Sequence, residues 1–77
     1  MLNNYGVVMT VVNSSNVAEI GYDEANQILY VRFIKNYSLY IYKGVPVGEY
    51  DGLRNASSVG TYLHSNIKGR FPYEKIE

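Results

Sequence analysis

The stretch from Ile28 to Lys43 alternates in side-chain character and constrains the fold more than any other part of the chain. A period of two is typical of β-strands, in which successive side chains point to opposite faces. Lys35-Asn36-Tyr37 interrupts the alternation, which predicts a β-hairpin. In the first strand Leu29, Val31 and Phe33 face one way and Ile28, Tyr30, Arg32 and Ile34 the other; in the second, Tyr40 and Tyr42 lie opposite Leu39 and Ile41. Both faces therefore carry apolar residues, and both need cover.

Two shorter segments precede the hairpin. Gly6–Val12 is nearly all apolar and predicts a short buried or interface strand. Val17–Tyr22 predicts another strand, and the polar Asp23–Gln27 predicts the loop that joins it to the hairpin. We expect residues 1–8 to be a lead-in or an extra strand, and residues 9–77 to form one domain.

Two short helices are predicted after the sheet. Pro46 suits a first helical turn, and Val47, Tyr50 and Leu53 give that helix an apolar stripe. The second helix is capped by Ser57 or Ser58, and its buried face is expected to hold Val59, Tyr62, Leu63, Asn66 and Ile67. Gly69 is placed to end it, and the residues after Gly69 are expected to form a tail.

The predicted fold class is α+β: a small antiparallel sheet of three or four strands followed by two short helices packed on one face. Two short helices cannot cover both faces of a sheet. We therefore expect the second face to meet another subunit in a homo-oligomer. The alternative is that the N-terminal strand or the tail folds over it.

Composition narrows the class of protein. The chain has 77 residues, no cysteine and a formal net charge of zero. A chain of this length supports one domain, and no disulfide or thiolate metal site can strengthen it. Neutrality disfavours general binding to nucleic acid or to a membrane surface. No long apolar run or leader is apparent, so we expect no membrane partner and an intracellular, cytoplasmic location.

Charge and tyrosine supply the candidate ligand-binding residues. Nine residues are tyrosine, a side chain that suits contact surfaces, although hairpins favour it in any case. Residues 52–73 contain bases and no acid, which predicts one basic surface. The candidates are Arg32, Tyr40, Tyr42, Arg54, Ser57, Ser58, Gly60, Tyr62, Asn66, Lys68 and Arg70.

Each group of candidates also has a purely structural interpretation. Ser57, Ser58 and Gly60 could bind an anion at a helix start, or could form an ordinary cap with a small residue for packing. Lys68 and Arg70, with aromatic residues beside them, suit a phosphate and a base together, but also suit a solvated tail. A lone arginine such as Arg32 is as often a surface residue.

Catalysis is not expected. His64 is the single histidine, and no acid lies near it in sequence to orient it. No set of His and Cys has the spacing of a metal site, and there is no phosphate-binding or dinucleotide glycine motif. We expect no enzyme activity, no metal and no cofactor.

Blocks along most of the chain resemble the KTSC domain, which is named for the C-terminus of some lysyl-tRNA synthetases. In order they are Asn13–Asp23, Leu29-x-Val31-x-Phe33, Tyr40-x-Tyr42, Val45-Pro46, Ala56-x-Ser58-Val59-Gly60-x-Tyr62-Leu63 and Asn66–Tyr73. The resemblance spans residues 9–76. It implies a domain found alone in bacteria and phages or fused to larger proteins, with a suspected role in nucleotide or nucleic-acid binding. The matching positions that could touch a ligand are Tyr40, Tyr42, Ser58, Gly60, Tyr62, Asn66, Lys68 and Arg70.

These features together favour non-enzymatic binding of a small phosphorylated nucleotide. A small standalone oligomer of this kind is similar in style to phage proteins that sequester nucleotide immune signals, such as cyclic dinucleotides or cyclic ADP-ribose isomers. The alternatives are an accessory module that binds RNA or DNA and a protein-interaction domain.

Overall fold

Five antiparallel strands form one sheet in the order in which they occur in the chain. The computed structural model describes residues 1–77. The strands are β1 (Met9–Val11), β2 (Val17–Asp23), β3 (Ile28–Phe33), β4 (Leu39–Lys43) and β5 (Tyr73–Lys75). Lys35–Tyr37 forms a 3₁₀ turn between β3 and β4, as the break in the alternation predicts.

Both helices lie between β4 and β5. Helix α1 spans Val47–Arg54, and α2 spans Val59–Tyr62 and continues as a π-helical turn over Leu63–Ile67. The side-chain oxygen of Ser58 accepts a hydrogen bond from the backbone N–H of Thr61, so Ser58 caps α2. Neither helix, nor the π-helical turn, has the length and apolarity needed to cross a membrane.

The number of strands differs from the three or four predicted, because the C-terminal tail supplies a strand. Tyr73 pairs with Tyr42, and Lys75 pairs with Tyr40. Three residues carry too little alternation to reveal a strand, and this one forms because β4 presents an open edge to pair with. The positive φ of Gly69 (+81°) lets the chain leave the helix and return to that edge.

The first face of the sheet packs against the helices, as predicted. Its core consists of Val17, Ile20, Leu29, Val31, Tyr42, Val45, Leu53, Val59, Leu63 and Ile67. The predicted stripe of α2 is accurate, since its three apolar positions are buried there. The stripe of α1 is wrong at Val47, which is 44% exposed, because α1 begins at that residue and only its later turns reach the sheet.

The second face is covered by the chain itself. Val7 and Met9 pack on Tyr30 and Leu39, with Ile76 from the C-terminus beside them. Met9 can pack here because residue 21 is glycine. A Cβ at Gly21 would lie 2.6 Å from the Sδ of Met9, which is too close. The alternative in which the terminal segments fold over this face therefore holds. The reason for expecting a second subunit on this face is removed, and a homo-oligomer stays a prediction.

Ionic contacts fasten the two terminal segments. The guanidinium of Arg32 lies 2.7 Å from the carboxylate of Glu77, and the amide of Asn4 donates to the same side chain. Hydrogen bonding from Arg32, more than any other cause, holds the pKa of Glu77 below its usual value. Residues 1–8 are thus joined to the C-terminus; Val7 packs on the second face, and Leu2 pairs with Val8 in an antiparallel bridge.

Candidate functional site

An open groove of about 620 Å³ lies where the ends of β3, β4 and β5 meet the segment after α2. Its aromatic residues are Phe33, Tyr40, Tyr42 and Tyr73. Its cations are Lys35, Lys68 and Lys75, and the rest of its lining is polar or glycine. We call this cavity the lysine groove.

The aromatic rings of the lysine groove hold one another in place. The rings of Phe33 and Tyr40 meet edge to face, with centroids 5.3 Å apart, and Tyr73 lies about as far from Tyr40 as from Tyr42, at 6.0 and 6.1 Å. Burial, followed by the neighbouring phenols, raises the pKa of Tyr42 to about 12. Tyr42 therefore stays neutral near pH 7 and can donate a hydrogen bond.

The cations of the lysine groove differ from every other cation in the chain. Of the seven lysine and arginine side chains, four are paired with a carboxylate: Arg32, Lys43, Arg54 and Arg70. The three without an acidic partner are Lys35, Lys68 and Lys75, and all three line the groove. No acidic side chain lines it. The groove therefore concentrates uncompensated positive charge in a chain that is neutral overall.

Aromatic contact and backbone geometry place two of these groups. The ammonium of Lys68 lies 5.2 Å from the centre of the Phe33 ring, a cation–π distance. Asn36, in the turn that carries Lys35, has a positive φ of 57°, and Tyr37 follows with 53°. Asparagine adopts this conformation more readily than most residues, and here it allows the tight turn between β3 and β4 that carries Lys35.

A second, more polar cavity of about 530 Å³ adjoins the lysine groove. We call it the hydroxyl cavity, because Ser14, Ser15, Ser57, Ser58 and Thr61 contribute to its lining. Asn16 and Lys68 line both cavities. His64 also lines the hydroxyl cavity, which has no acidic residue.

The structure distributes the candidate residues over five places. Tyr40 and Tyr42 lie in the lysine groove; Ser57, Ser58 and Gly60 lie in the hydroxyl cavity; Lys68 belongs to both. Gly60 serves packing, because a Cβ there would lie 2.5 Å from Oδ1 of Asn16. The structural interpretation of this glycine is therefore supported.

Three further candidates surround Glu49 instead. The hydroxyl of Tyr62 donates to Glu49 at 2.8 Å, and Arg70 pairs with the other carboxylate oxygen at 3.2 Å. The side-chain amide of Asn66 donates to the backbone carbonyl of Tyr62. The backbone carbonyl of Asn66 accepts a hydrogen bond from the guanidinium of Arg70. Hydrogen bonding to Glu49 is the main cause that raises the pKa of Tyr62. This cluster ties α1 to the π-helical turn.

The two remaining arginines are also paired. Arg54 lies 3.2 Å from Asp51 and over the ring of Tyr50. Arg32 lies on the second face with Glu77. The basic surface expected over residues 52–73 is therefore smaller than the sequence indicates, because Asp51 and Glu49 precede that stretch and neutralise Arg54 and Arg70.

Of the seven aromatic and cationic residues of the lysine groove, sequence reasoning selected three as ligand-binding candidates: Tyr40, Tyr42 and Lys68. Lys35 was assigned only to the turn of the hairpin, and Lys75 and the position of Tyr73 depend on β5. The available signal is the spacing of Tyr73 and Lys75, which places both on one face of a strand. Recognising it requires knowledge that the tail pairs with β4.

Comparisons with known proteins agree with this architecture. The family model of the KTSC domain matches residues 13–71. A protein of Tsukamurella paurometabola is 40% identical over 63 residues, which are 82% of this chain and 92% of that protein. The crystal structure of a KTSC domain protein from Yersinia pestis is 34% identical and superposes with a TM-score of 0.88, covering 92% of this chain and 99% of that one.

A larger protein contains a similar region. A lysine–tRNA ligase of Trichormus variabilis is 39% identical over 62 residues, which are 80% of this chain. The match spans 11% of the ligase, so this chain corresponds to a small part of that protein.

Proposed function

This chain belongs to the KTSC domain family, and from that premise we propose that its lysine groove binds a small phosphorylated nucleotide without chemical turnover. The observation that carries the proposal is the coincidence of charge and aromatic surface. The three lysines that lack acidic partners are the three that line the groove, and four aromatic residues line it with them.

The chemistry of the groove matches the two halves of a nucleotide. Lysine ammonium groups bind phosphate oxygens as point charges, and unpaired ones have no competing carboxylate to displace. Aromatic rings stack with bases of any sequence. Ligand-binding cavities span roughly 300–1,000 Å³, and the groove's volume of about 620 Å³ falls in this range.

Binding without turnover is favoured by what lines the groove. Its residues include neither a carboxylate nor a histidine, the side chains that most often act as general acids and bases. Tyr42 is not available as a base near pH 7, because its pKa, raised to about 12, keeps the phenol protonated. A role in sequestering a nucleotide signal is the specific form of this proposal, and it requires that the ligand be released chemically unchanged.

Charge-matched variants test the proposal. One protein carries Lys35→Ala, Lys68→Ala and Lys75→Ala; its control carries Lys43→Ala, Arg54→Ala and Arg70→Ala, which removes the same charge from paired positions. The probe is adenosine monophosphate, and calorimetry measures its affinity. We expect the first variant to lose at least about tenfold in affinity, because the loss of even one charged contact costs roughly 1.5–3 kcal/mol.

The control should remain within about threefold of wild type, because its cations already have partners. Equal losses in both variants would mean that the protein responds only to net charge, and equal retention would remove the groove from consideration. Mass spectrometry of the probe recovered from the complex tests the second part of the proposal, since any hydrolysed product contradicts binding without turnover.

A second candidate is binding to single-stranded RNA, which is favoured by the similar region in a lysine–tRNA ligase. The groove is open and could admit a strand as well as a free nucleotide. Salt dependence separates the two, because each phosphate neutralised along a strand steepens the fall in affinity with salt, with a slope of about −0.7 per contact. A slope that grows with oligonucleotide length would favour RNA.

A further inference from the structure

The lysine groove and the hydroxyl cavity form one continuous surface. Asn16 and Lys68 line both, and both cavities lack acidic residues. A polyanion can therefore pass from one to the other without meeting a negative side chain. The two cavities differ in character, since aromatic rings dominate the first and serine hydroxyls the second.

Two donors stand at the junction of the cavities. Lys68 has no acidic partner, and the side-chain N–H₂ of Asn16 has no hydrogen-bond acceptor in the chain. Asn16 is held firmly, because its Oδ1 accepts from Ser14 at 3.0 Å and its backbone carbonyl accepts from Ile34 at 2.9 Å. An ammonium and a fixed amide donor at this junction can both donate hydrogen bonds to the oxygens of a phosphodiester.

The hydroxyl cavity also contains polar side chains that make no hydrogen bond within the chain. The side chains of Ser15 and Ser57 are exposed and make no hydrogen bond within the chain. A serine hydroxyl both donates and accepts, as does the 2′-hydroxyl of ribose. Val59 is the cavity's only apolar residue, and His64 supplies its only ring.

We propose that the ligand of this surface contains two ribonucleosides joined by a phosphodiester. The first base lies against the rings of the lysine groove, the phosphodiester lies at Asn16 and Lys68, and the ribose of the second nucleoside lies in the hydroxyl cavity. This inference rests on the proposed function and names its ligand class: a dinucleotide unit, either free or within an RNA strand.

Calorimetry with four probes tests the inference: adenosine monophosphate, 5′-phosphorylated diadenylate, its deoxy counterpart and octa-adenylate. The wild-type protein should bind diadenylate about tenfold or more tightly than the monophosphate, because only diadenylate reaches the second cavity. The deoxy form should bind several-fold more weakly than diadenylate, since the serine hydroxyls lose their partner. If octa-adenylate binds more tightly than diadenylate, the dinucleotide unit that the protein binds is part of an RNA strand. If the two bind equally, the ligand is a free dinucleotide.

A single substitution separates the two cavities. Ser15→Asp places a negative charge in the hydroxyl cavity alone, so affinity for diadenylate should fall to about the monophosphate value while monophosphate affinity changes by less than about twofold. Gln27→Glu is the matched control, because it adds the same charge on the exposed β2–β3 turn. It should change neither affinity.

The outcomes distinguish this inference from the proposed function. Equal wild-type affinity for the monophosphate and diadenylate would overturn the inference and leave nucleotide binding intact, whereas no binding of any probe would overturn both. Equal binding of the ribo and deoxy forms, or an equal effect of Ser15→Asp on both ribonucleotides, would contradict the assigned role of the hydroxyl cavity.

Discussion

The lysine groove and the second face of the sheet are built from neighbouring residues of the same strands. They differ in how far their apolar side chains are buried and in whether their charged side chains are paired. On the second face Leu39 is fully buried, and Arg32 is paired with Glu77. In the groove the adjacent Tyr40 is partly exposed, and Lys75, directly across the strand pair, has no acid. The charged side chain with acidic partners belongs to the architecture, and the one without such a partner lies in the groove for which we propose a ligand.

Leu39→Ala probes the architectural side and has the largest expected effect. The side chain is fully buried, so its truncation should lower the free energy of unfolding by about 2–5 kcal/mol. Urea denaturation measures the change. Lys68→Ala in the groove is the comparison and should cost less than about 0.5 kcal/mol. A large loss for Lys68 would make the groove part of the core, contrary to the distinction drawn above.

Alkaline pH should destabilise the protein through Tyr42. Its folded pKa of about 12 lies above the ordinary value of 10.0, so the folded state favours the neutral phenol. The resulting stability is fully present below pH 10 and is lost as the pH rises towards 12, on the order of 2 kcal/mol in total. Tyr42→Phe should reduce this pH dependence in urea denaturation and leave the part that comes from the other tyrosines whose pKa is raised, Tyr22, Tyr30, Tyr50 and Tyr62. An unchanged slope would mean that Tyr42 is not its source.

Tyr40→Ala probes the binding side of the comparison. Loss of one stacking surface should weaken adenosine monophosphate binding by about 1–3 kcal/mol. Tyr37→Ala is the matched control, since Tyr37 is 60% exposed and lies against Arg32 outside the groove. Calorimetry should show little change for it. If the two substitutions had the same effect, tyrosine content rather than position would determine binding.

Glu77→Gln has the smallest expected effect. It removes the charge that Arg32 binds, and the effect is limited because the guanidinium of Arg32 keeps a second carboxylate, that of Glu19, at 3.7 Å. Because the pKa of Glu77 is lowered in the folded state, the contribution is present above pH 4.5 and is lost as the pH falls below it. Hydrogen exchange of the Leu39 amide, which donates to the Glu77 carbonyl, should quicken by only a few-fold. Protection that is independent of pH in wild type would contradict this.

Local periodicity predicted the parts of the fold that depend on neighbouring residues. The β3–β4 hairpin and the buried face of α2 follow from the spacing of side chains alone. Residue type narrowed the cap of α2 to Ser57 or Ser58, and the structure shows that it is Ser58. The packing that covers the second face cannot be predicted in this way, because it brings together segments from opposite ends of the chain. Nothing in the sequence around Met9 reveals that Gly21 leaves space for it.

The candidate site was predicted in part for the same reason. Tyr40, Tyr42 and Lys68 were recognised from type and position, and the structure places all three in the lysine groove. Arg54 and Arg70 were chosen as bases in a stretch without acids. Arg54 pairs with Asp51 three residues before it on the same helix, a spacing that the sequence already shows. Arg70 pairs with Glu49, which is 21 residues away, so that pairing depends on a tertiary contact that local composition does not reveal.

The most direct test of the central claim is a chemical-shift map of the ¹⁵N-labelled protein titrated with adenosine monophosphate. We predict that the largest shifts occur at the backbone amides of Lys35, Asn36, Lys68 and Gly69, which line the groove, and that Tyr30 and Leu39 on the second face do not move. Largest shifts around Glu49 and Arg70, or none at about millimolar nucleotide, would contradict the assignment of the lysine groove as the binding site.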